Sequence, residues 1–355
     1  MGGERMKKWI AFILSLVLIF SSCVEVCAFV SADSGLKALR AQFSRGKGPS
    51  KDGYAIDYSF FSPVTDENDE TKYPLVIIMA GAREGEYEGK ELLANEYAMW
   101  SSDEYQKRFL ASGGGFILIA RAPEEKYLCW DSQTLTAPLK AAVDDFTQRH
   151  PNVDTNRIVL VGWCLGAKGV VNQACAYPGY YSAAVMMVPS FAISLAQAEQ
   201  MKDLPVWLHG CKKDSFANYE MYIGPTWERL VSTAADKRMR LFTCYDEAVN
   251  TTFFLNHNVW LQGSYDMQYT GKGYKGMTTV DGDGNTVNTD RGMIFWLSFW
   301  NMPFLQPILT PSDSCPCACH SENLLKRFMW KVYIGVCQIP FLGSKRSCSC
   351  GQAHW

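Results

Sequence analysis

Gly162 and Gly166 bracket Trp163-Cys164-Leu165, and these five residues continue the apolar run Arg157-Ile-Val-Leu-Val. A strand that passes through Gly-x-Cys-x-Gly into a helix is the setting of a nucleophile elbow. The turn is so tight that its central side chain stands clear of the backbone, and the flanking positions need glycine for room. Cys164 occupies the centre, and a thiolate attacks a carbonyl carbon once a histidine has taken its proton. A cysteine packed at an ordinary strand-to-helix turn is the bland counterpart. The strand before and the helix after favour the catalytic reading.

A nucleophile of this kind needs a base and an acid further along the chain. Of the five histidines, His320 and His354 lie in a cysteine-rich tail, His150 precedes the elbow strand and His209 closes the strand Val206-Trp-Leu-His. His257 remains, in Phe254-Leu-Asn-His-Asn-Val-Trp260, a loop after the last strong strand from which a base can reach across the carboxyl edge of a sheet. Asp214, in the turn after Pro205-Val-Trp-Leu-His-Gly-Cys-Lys-Lys, is the expected orienting carboxylate, with Asp246 and Glu247 as runners-up. The oxyanion donors are expected to be the N–H of Leu165, at a helix start, and that of Gly81 or Ala82 in the glycine loop after Leu75-Val-Ile-Ile-Met. Trp163, Trp130 and Trp260, with Tyr127, are candidates to line an aromatic or sugar-binding cleft.

The elements that must position these groups follow from periodicity. Short apolar, β-branched runs at 54–61, 75–79, 115–120, 158–161, 183–188, 206–209 and 240–244 predict strands. Between or after them, helices are predicted at 89–100, 104–111, 135–149, 165–177, 219–235 and 293–300. Leu139, Ala142, Val143 and Phe146 recur at helical spacing and predict a helix that covers a sheet face. Alternation of this kind predicts an α/β domain with a mostly parallel sheet and helices on both faces. Asp281-Gly-Asp283-Gly-Asn285 has the opening of a calcium loop, but Thr286 follows where a glycine is needed and no glutamate closes it. A hairpin turn between 278–280 and 286–288 is expected instead.

The order of the pieces resembles a known superfamily. Tyr73-Pro-Leu-Val-Ile-Ile ending in a glycine loop, Asn156-Arg-Ile-Val-Leu-Val-Gly162, Leu204-Pro-Val-Trp-Leu-His-Gly-x-x-x-Asp214 and His257-x-x-Trp260 resemble the poly(3-hydroxybutyrate) depolymerase, feruloyl esterase and prolyl-oligopeptidase-like branch of the α/β-hydrolases. That branch writes His-Gly in the first glycine loop where this chain has Ala80-Gly81, and serine where it has Cys164. The cysteine elbow is similar to that of dienelactone hydrolases. The resemblance covers about 54–300 and implies an α/β-hydrolase fold and the cleavage of carboxylic esters, such as feruloyl or acetyl esters of polysaccharide or a polyester, without a catalytic cofactor. A thiolate leaves a tetrahedral intermediate more readily than an amine does, so esters rank above peptides. A silent fold retained for carbohydrate or cell-surface binding is the reading from another class, and a peptidase of the prolyl-oligopeptidase kind is the next.

Composition excludes other classes. The 355 residues carry 34 Lys and Arg against 36 Asp and Glu, which provides no basic excess for a nucleic-acid partner. Arg5, Lys7 and Lys8 precede the apolar run from Trp9 to Phe20 and then small residues, the layout of a secretory signal spanning 1–32, with cleavage expected near Phe29 or Asp33. Export to the medium or the cell surface follows. The hydrolase domain is expected at 33–302, a proline-bearing linker at 303–314 and a Cys/His-rich module at 315–355. In that module Cys315, Cys317, Cys319, His320, Cys348, Cys350 and His354 are candidate ligands of a structural zinc, with disulfides as the alternative. It resembles a C-terminal module of Gram-positive surface proteins. Between its ends, Leu324, Leu325, Phe328, Met329, Val332, Tyr333 and Val336 oppose Lys326, Arg327 and Lys331 at helical spacing, a face that packs on the metal or disulfide knot or is suited to cell-surface or membrane-surface contact.

Overall fold

The computed structural model describes residues 37–81, 95–123, 129–248, 256–257, 259–260, 263 and 274–299. The chain falls into two compact units, Met1–Thr310 and Pro311–Trp355, and every described residue belongs to the first. The expected signal (1–32), linker (303–314) and Cys/His-rich module (315–355) lie outside the described residues.

Nine strands form one sheet. In chain order its members are β1 (Ser44–Lys47), β2 (Asp57–Phe61), β3 (Tyr73–Met79), β4 (Phe116–Arg121), β5 (Val153–Trp163), β6 (Ala183–Met187), β7 (Val206–Cys211), β8 (Arg240–Tyr245) and, after the two-residue β9 (Glu247–Ala248) and β10 (Tyr274–Lys275), β11 (Thr278–Asp281). They lie side by side as β1-β2-β4-β3-β5-β6-β7-β8-β11. The six from β4 to β8 run parallel, while β1, β2 and β11 add antiparallel edges. All seven side chains of β3 and all of β6 and β7 are buried, as continuous apolar runs in a doubly covered sheet should be. Pro74 has no N–H to give the ladder, and the β3–β5 register shifts between Tyr73 and Leu75.

The α-helices whose bounds are described are α1 (Asp103–Gln106), α2 (Thr136–Arg149), α3 (Leu165–Ala176), α4 (Leu195–Gln200), α5 (Gly224–Thr233) and α6 (Met293–Phe299). The predicted stripe of α2 is buried as Leu139, Ala142, Val143 and Phe146. The helix expected at 104–111 makes only one turn. Gln106 bonds instead to the Trp100 carbonyl and to both backbone groups of Gly115, and folds the chain back. The helix expected at 219–235 is split: a π turn over Tyr219–Ile223 precedes α5, because Pro225 cannot donate within a continuous helix and sits at its start. The described part of the helix expected at 89–100 is a 3-10 helix, Asn95–Ser101. The hairpin after β11 forms as expected, with Gly284 at φ +86° and Thr286 bridged to Val280.

Strand order also decides where side chains meet. The chain steps one way from β3 to β4, then back over β3 to β5 and onward through β8. Right-handed crossovers then place the α1 connection on one face and α2 to α5 on the other, where consecutive helices pack together. The reversal leaves β3 and β5 as neighbours, and the crevice outside the carboxyl ends of strands at such a reversal is the usual ligand position.

Candidate active site

Cys164 follows β5 at that crevice with φ 53° and ψ −119°, a left-handed conformation that costs an L-residue roughly 1–3 kcal/mol. Its flanking glycines are obligatory for a visible reason. A Cβ on Gly162 would lie 2.5 Å from the Gly166 carbonyl oxygen, and one on Gly166 would lie 2.0 Å from that of Met79. The start of α3 is thus pressed against the ends of β3 and β5. The Cys164 N–H bonds to the Met187 carbonyl at 3.0 Å, which ties the elbow to the end of β6. Cys164 stays half-buried, and the positive end of the α3 dipole beneath it favours negative charge on sulfur.

Asp214 follows β7 and is buried. Its Oδ1 accepts the N–H groups of Phe216 at 2.8 Å and Ala217 at 3.0 Å, while Oδ2 lies 2.7 Å from His257 Nδ1. Both side chains are withdrawn from water, at 10% exposure for His257 and 0% for Asp214. Burial works against a charged imidazole here, but its hydrogen bonds to Asp214 and Cys164 and their charge outweigh it and push His257 up to about 9. The three side chains expected to act together are therefore brought together, in the order sulfur, imidazole, carboxylate. The runners-up are engaged elsewhere: Asp246 pairs with Lys212 at 2.6 Å, and Glu247 pairs with Lys213 and Lys275. His209 is fully buried, stacked on Trp207 and Tyr245, and burial pushes it down to about 3. Buried so, it stays neutral.

The backbone of Gly81 runs beside the nucleophile, since a Cβ there would sit 3.2 Å from Cys164 Cβ. Leu165 opens α3, so its N–H has no carbonyl partner within the helix. Ala82 and Tyr127 lie outside the described residues, as do Cys315, Cys317, Cys319, His320, Cys348, Cys350 and His354. Among the described residues no group of three metal-ligating side chains forms.

Of the three tryptophans expected at a cleft, two are core residues and one lies beside the base. Trp163 is 2% exposed and stacks between Tyr97 (5.4 Å, 7°) and Trp260 (5.8 Å, 18°). Successive strand residues point to opposite faces, so the side chain before an elbow goes into the core. Trp130, 4% exposed, packs under Gly169 of α3. Trp260 is partly buried, with its ring edge-on to His257 at 5.6 Å. Two residues that sequence reasoning missed lie at the site. Ser190 Oγ is 3.9 Å from Cys164 Sγ, and the ring of Phe216, 42% exposed, is 5.4 Å from that of His257. Both follow the carboxyl ends of central strands, the one signal that could have nominated them.

Residues 124–256 match the dienelactone hydrolase family, a span that includes Cys164 and Asp214 and ends just before His257. A thermostable esterase has a similar structure, with 20% identity and a TM-score of 0.53 over 65% of this chain and 62% of that one. An acylaminoacyl peptidase of Pyrococcus horikoshii aligns at 12% identity and a TM-score of 0.39 over 54% of this chain and 35% of that one. The chain thus spans less than two thirds of either. Curated proteins give no match. The fold is that of the α/β-hydrolases, as the sequence predicts.

Proposed function

We propose that this protein hydrolyses carboxylic esters through an acyl-enzyme on Cys164. The strongest support is the alignment of Cys164, His257 and Asp214 at a strained elbow, with the imidazole bonded to both partners. His257 takes the thiol proton, and Cys164 Sγ forms a bond to the ester carbonyl carbon. The resulting oxyanion lies where the Leu165 N–H and the Gly81 backbone flank the sulfur. Collapse of the intermediate breaks the bond to the alcohol oxygen, which receives the proton from His257. Water, deprotonated by the same imidazole, then attacks the thioester and releases the acid and the thiol. Asp214 holds the Nδ1 proton throughout and stabilises the imidazolium.

Esters suit this arrangement better than amides, because the thiolate departs more readily than an amine. Phe216 and Trp260 beside the base make an apolar rim for the alcohol or acyl part, consistent with feruloyl- or acetyl-substituted polysaccharide or a polyester. The signal-like segment at 1–32 argues that such substrates are met outside the cell. Turnover of a p-nitrophenyl ester panel by the full chain tests the proposal. Cys164→Ala should lose about a thousandfold or more in kcat/KM, as loss of a covalent nucleophile does. Equal turnover by wild type and Cys164→Ala, or none by folded wild type, would refute it, and the second outcome would favour a silent binding fold.

A further inference from the structure

Beside the nucleophile elbow lies a second strained turn that the reaction as described does not use. β6 ends at Met187, and Val188 follows with φ 41°. For a β-branched residue a positive φ is a genuine outlier, and the proline after it narrows its choices further. Val188 is fully buried and its N–H bonds to the His209 carbonyl at 2.9 Å, so the strained residue is pinned in place. The two turns are joined, since the Met187 carbonyl just before Val188 accepts the Cys164 N–H. Strain of this kind persists where surrounding packing enforces it, and it concentrates at functional sites.

What the turn delivers is Ser190. Its Oγ lies 3.9 Å from Cys164 Sγ, within hydrogen-bond reach for sulfur, on the side formed by the β6 loop. Phe191 follows, with Lys168 Nζ of α3 4.5 Å from its ring centroid. Among the described residues, the titratable groups joined to the sulfur are His257, in the segment after β8, and Asp214 behind it, while Lys168 of α3 meets the Phe191 ring. With a neutral thiol either atom can donate. Once the proton has moved to His257 the sulfur only accepts, and the hydroxyl must donate to it.

Resting on the ester-hydrolase reading, we propose that Ser190 is a positioning residue that donates a hydrogen bond to the Cys164 thiolate and holds it in the ion pair with His257 between turnovers. The hydroxyl keeps its own proton: the thiol proton passes to His257 and returns to the leaving alcohol. Ser190 therefore favours the ionised nucleophile without entering the acyl chemistry.

The test is the pH profile of Cys164 alkylation by iodoacetamide, read by mass spectrometry on the folded full chain, alongside p-nitrophenyl ester turnover. Ser190→Ala should raise the midpoint of the profile by about one pH unit, the size of one hydrogen bond to a charged group. Ser190→Thr, which keeps the hydroxyl, should restore it. A merely structural serine would change stability and leave the midpoint alone. A Ser190→Ala midpoint coincident with that of wild type, with Cys164-dependent turnover intact, would overturn the role of Ser190 and leave the ester hydrolase standing. Wild type in which Cys164 is neither alkylated nor needed for turnover would overturn both.

Discussion

Replacing Asp214 by asparagine exchanges one carboxylate oxygen for an NH2 group, and the structure dictates how the new side chain must sit. Oδ1 of Asp214 accepts two backbone N–H groups, from Phe216 and Ala217, so only the amide oxygen of an asparagine suits that place. The NH2 group is then forced into the position of Oδ2, 2.7 Å from His257 Nδ1. An imidazole facing a donor must present a bare Nδ1 and carry its proton on Nε2, the nitrogen that has to receive the thiol proton. The base is thereby turned into the wrong tautomer, and its cation would meet a donor rather than a carboxylate. A fall in kcat of roughly a thousand- to ten-thousandfold is expected for such a reversal. That corresponds to about 4–5.5 kcal/mol of barrier. His257, held at about 9 in the intact site, should titrate lower, because burial then opposes the cation with only Cys164 to offset it. Asp214→Ala provides the contrast. It leaves one buried and one part-buried N–H group without their acceptor, at a cost to stability of about 2 kcal/mol. It imposes no tautomer, so it should be less stable than Asp214→Asn yet more active. The assays are p-nitrophenyl acetate turnover and urea unfolding of both variants. An Asp214→Asn enzyme with more than a tenth of wild-type kcat, or one less stable than Asp214→Ala, would refute the reasoning.

Two structural predictions follow from the same geometry. Arg240 is fully buried, and its guanidinium donates to the carbonyls of Leu230, Met201, Lys202 and Leu204, binding the α4–β7 connection to α5. Arg240→Met should cost about 3 kcal/mol or more by leaving those carbonyls without donors, and a loss under about 1 kcal/mol in urea unfolding would contradict it. Gly166→Ala places a Cβ 2.0 Å from the Met79 oxygen and 2.5 Å from that of Ala80, both backbone atoms. It should prevent the close seating of α3 on β3 and abolish turnover with a loss of stability above about 3 kcal/mol, visible as a fall in thermal midpoint.

Much of the fold was readable because it depends on pattern. Each central strand is a short run of β-branched and apolar residues, and a two-residue period or its absence is local information. The same holds for α2, whose stripe at Leu139, Ala142, Val143 and Phe146 buries as predicted. The meeting of Cys164, Asp214 and His257 also follows from local signals, because Cys164 and Asp214 sit just beyond the carboxyl ends of β5 and β7, His257 lies in the segment after β8, and a parallel sheet gathers such ends on one edge. What fails is what depends on direction and on partners distant in sequence. Its place beside the nucleophile suggests a cleft role for Trp163, but alternation along β5 turns its ring into the stack with Tyr97, and Trp130 is claimed by the close approach of Gly169. Ser190 and Phe216 carry no motif, and only the strained turn at Val188 and the Asp214 turn bring them to the site. The single-turn α1 and the break before α5 were decided by a glutamine bonding to backbone nine residues away and by a proline in mid-pattern. The sequence by itself therefore determined which elements form and on which sheet edge the reactive groups collect. Only the tertiary structure decided which aromatic rings are core and which hydroxyl faces the sulfur, because those outcomes rest on contacts between segments that nothing in the local pattern encodes.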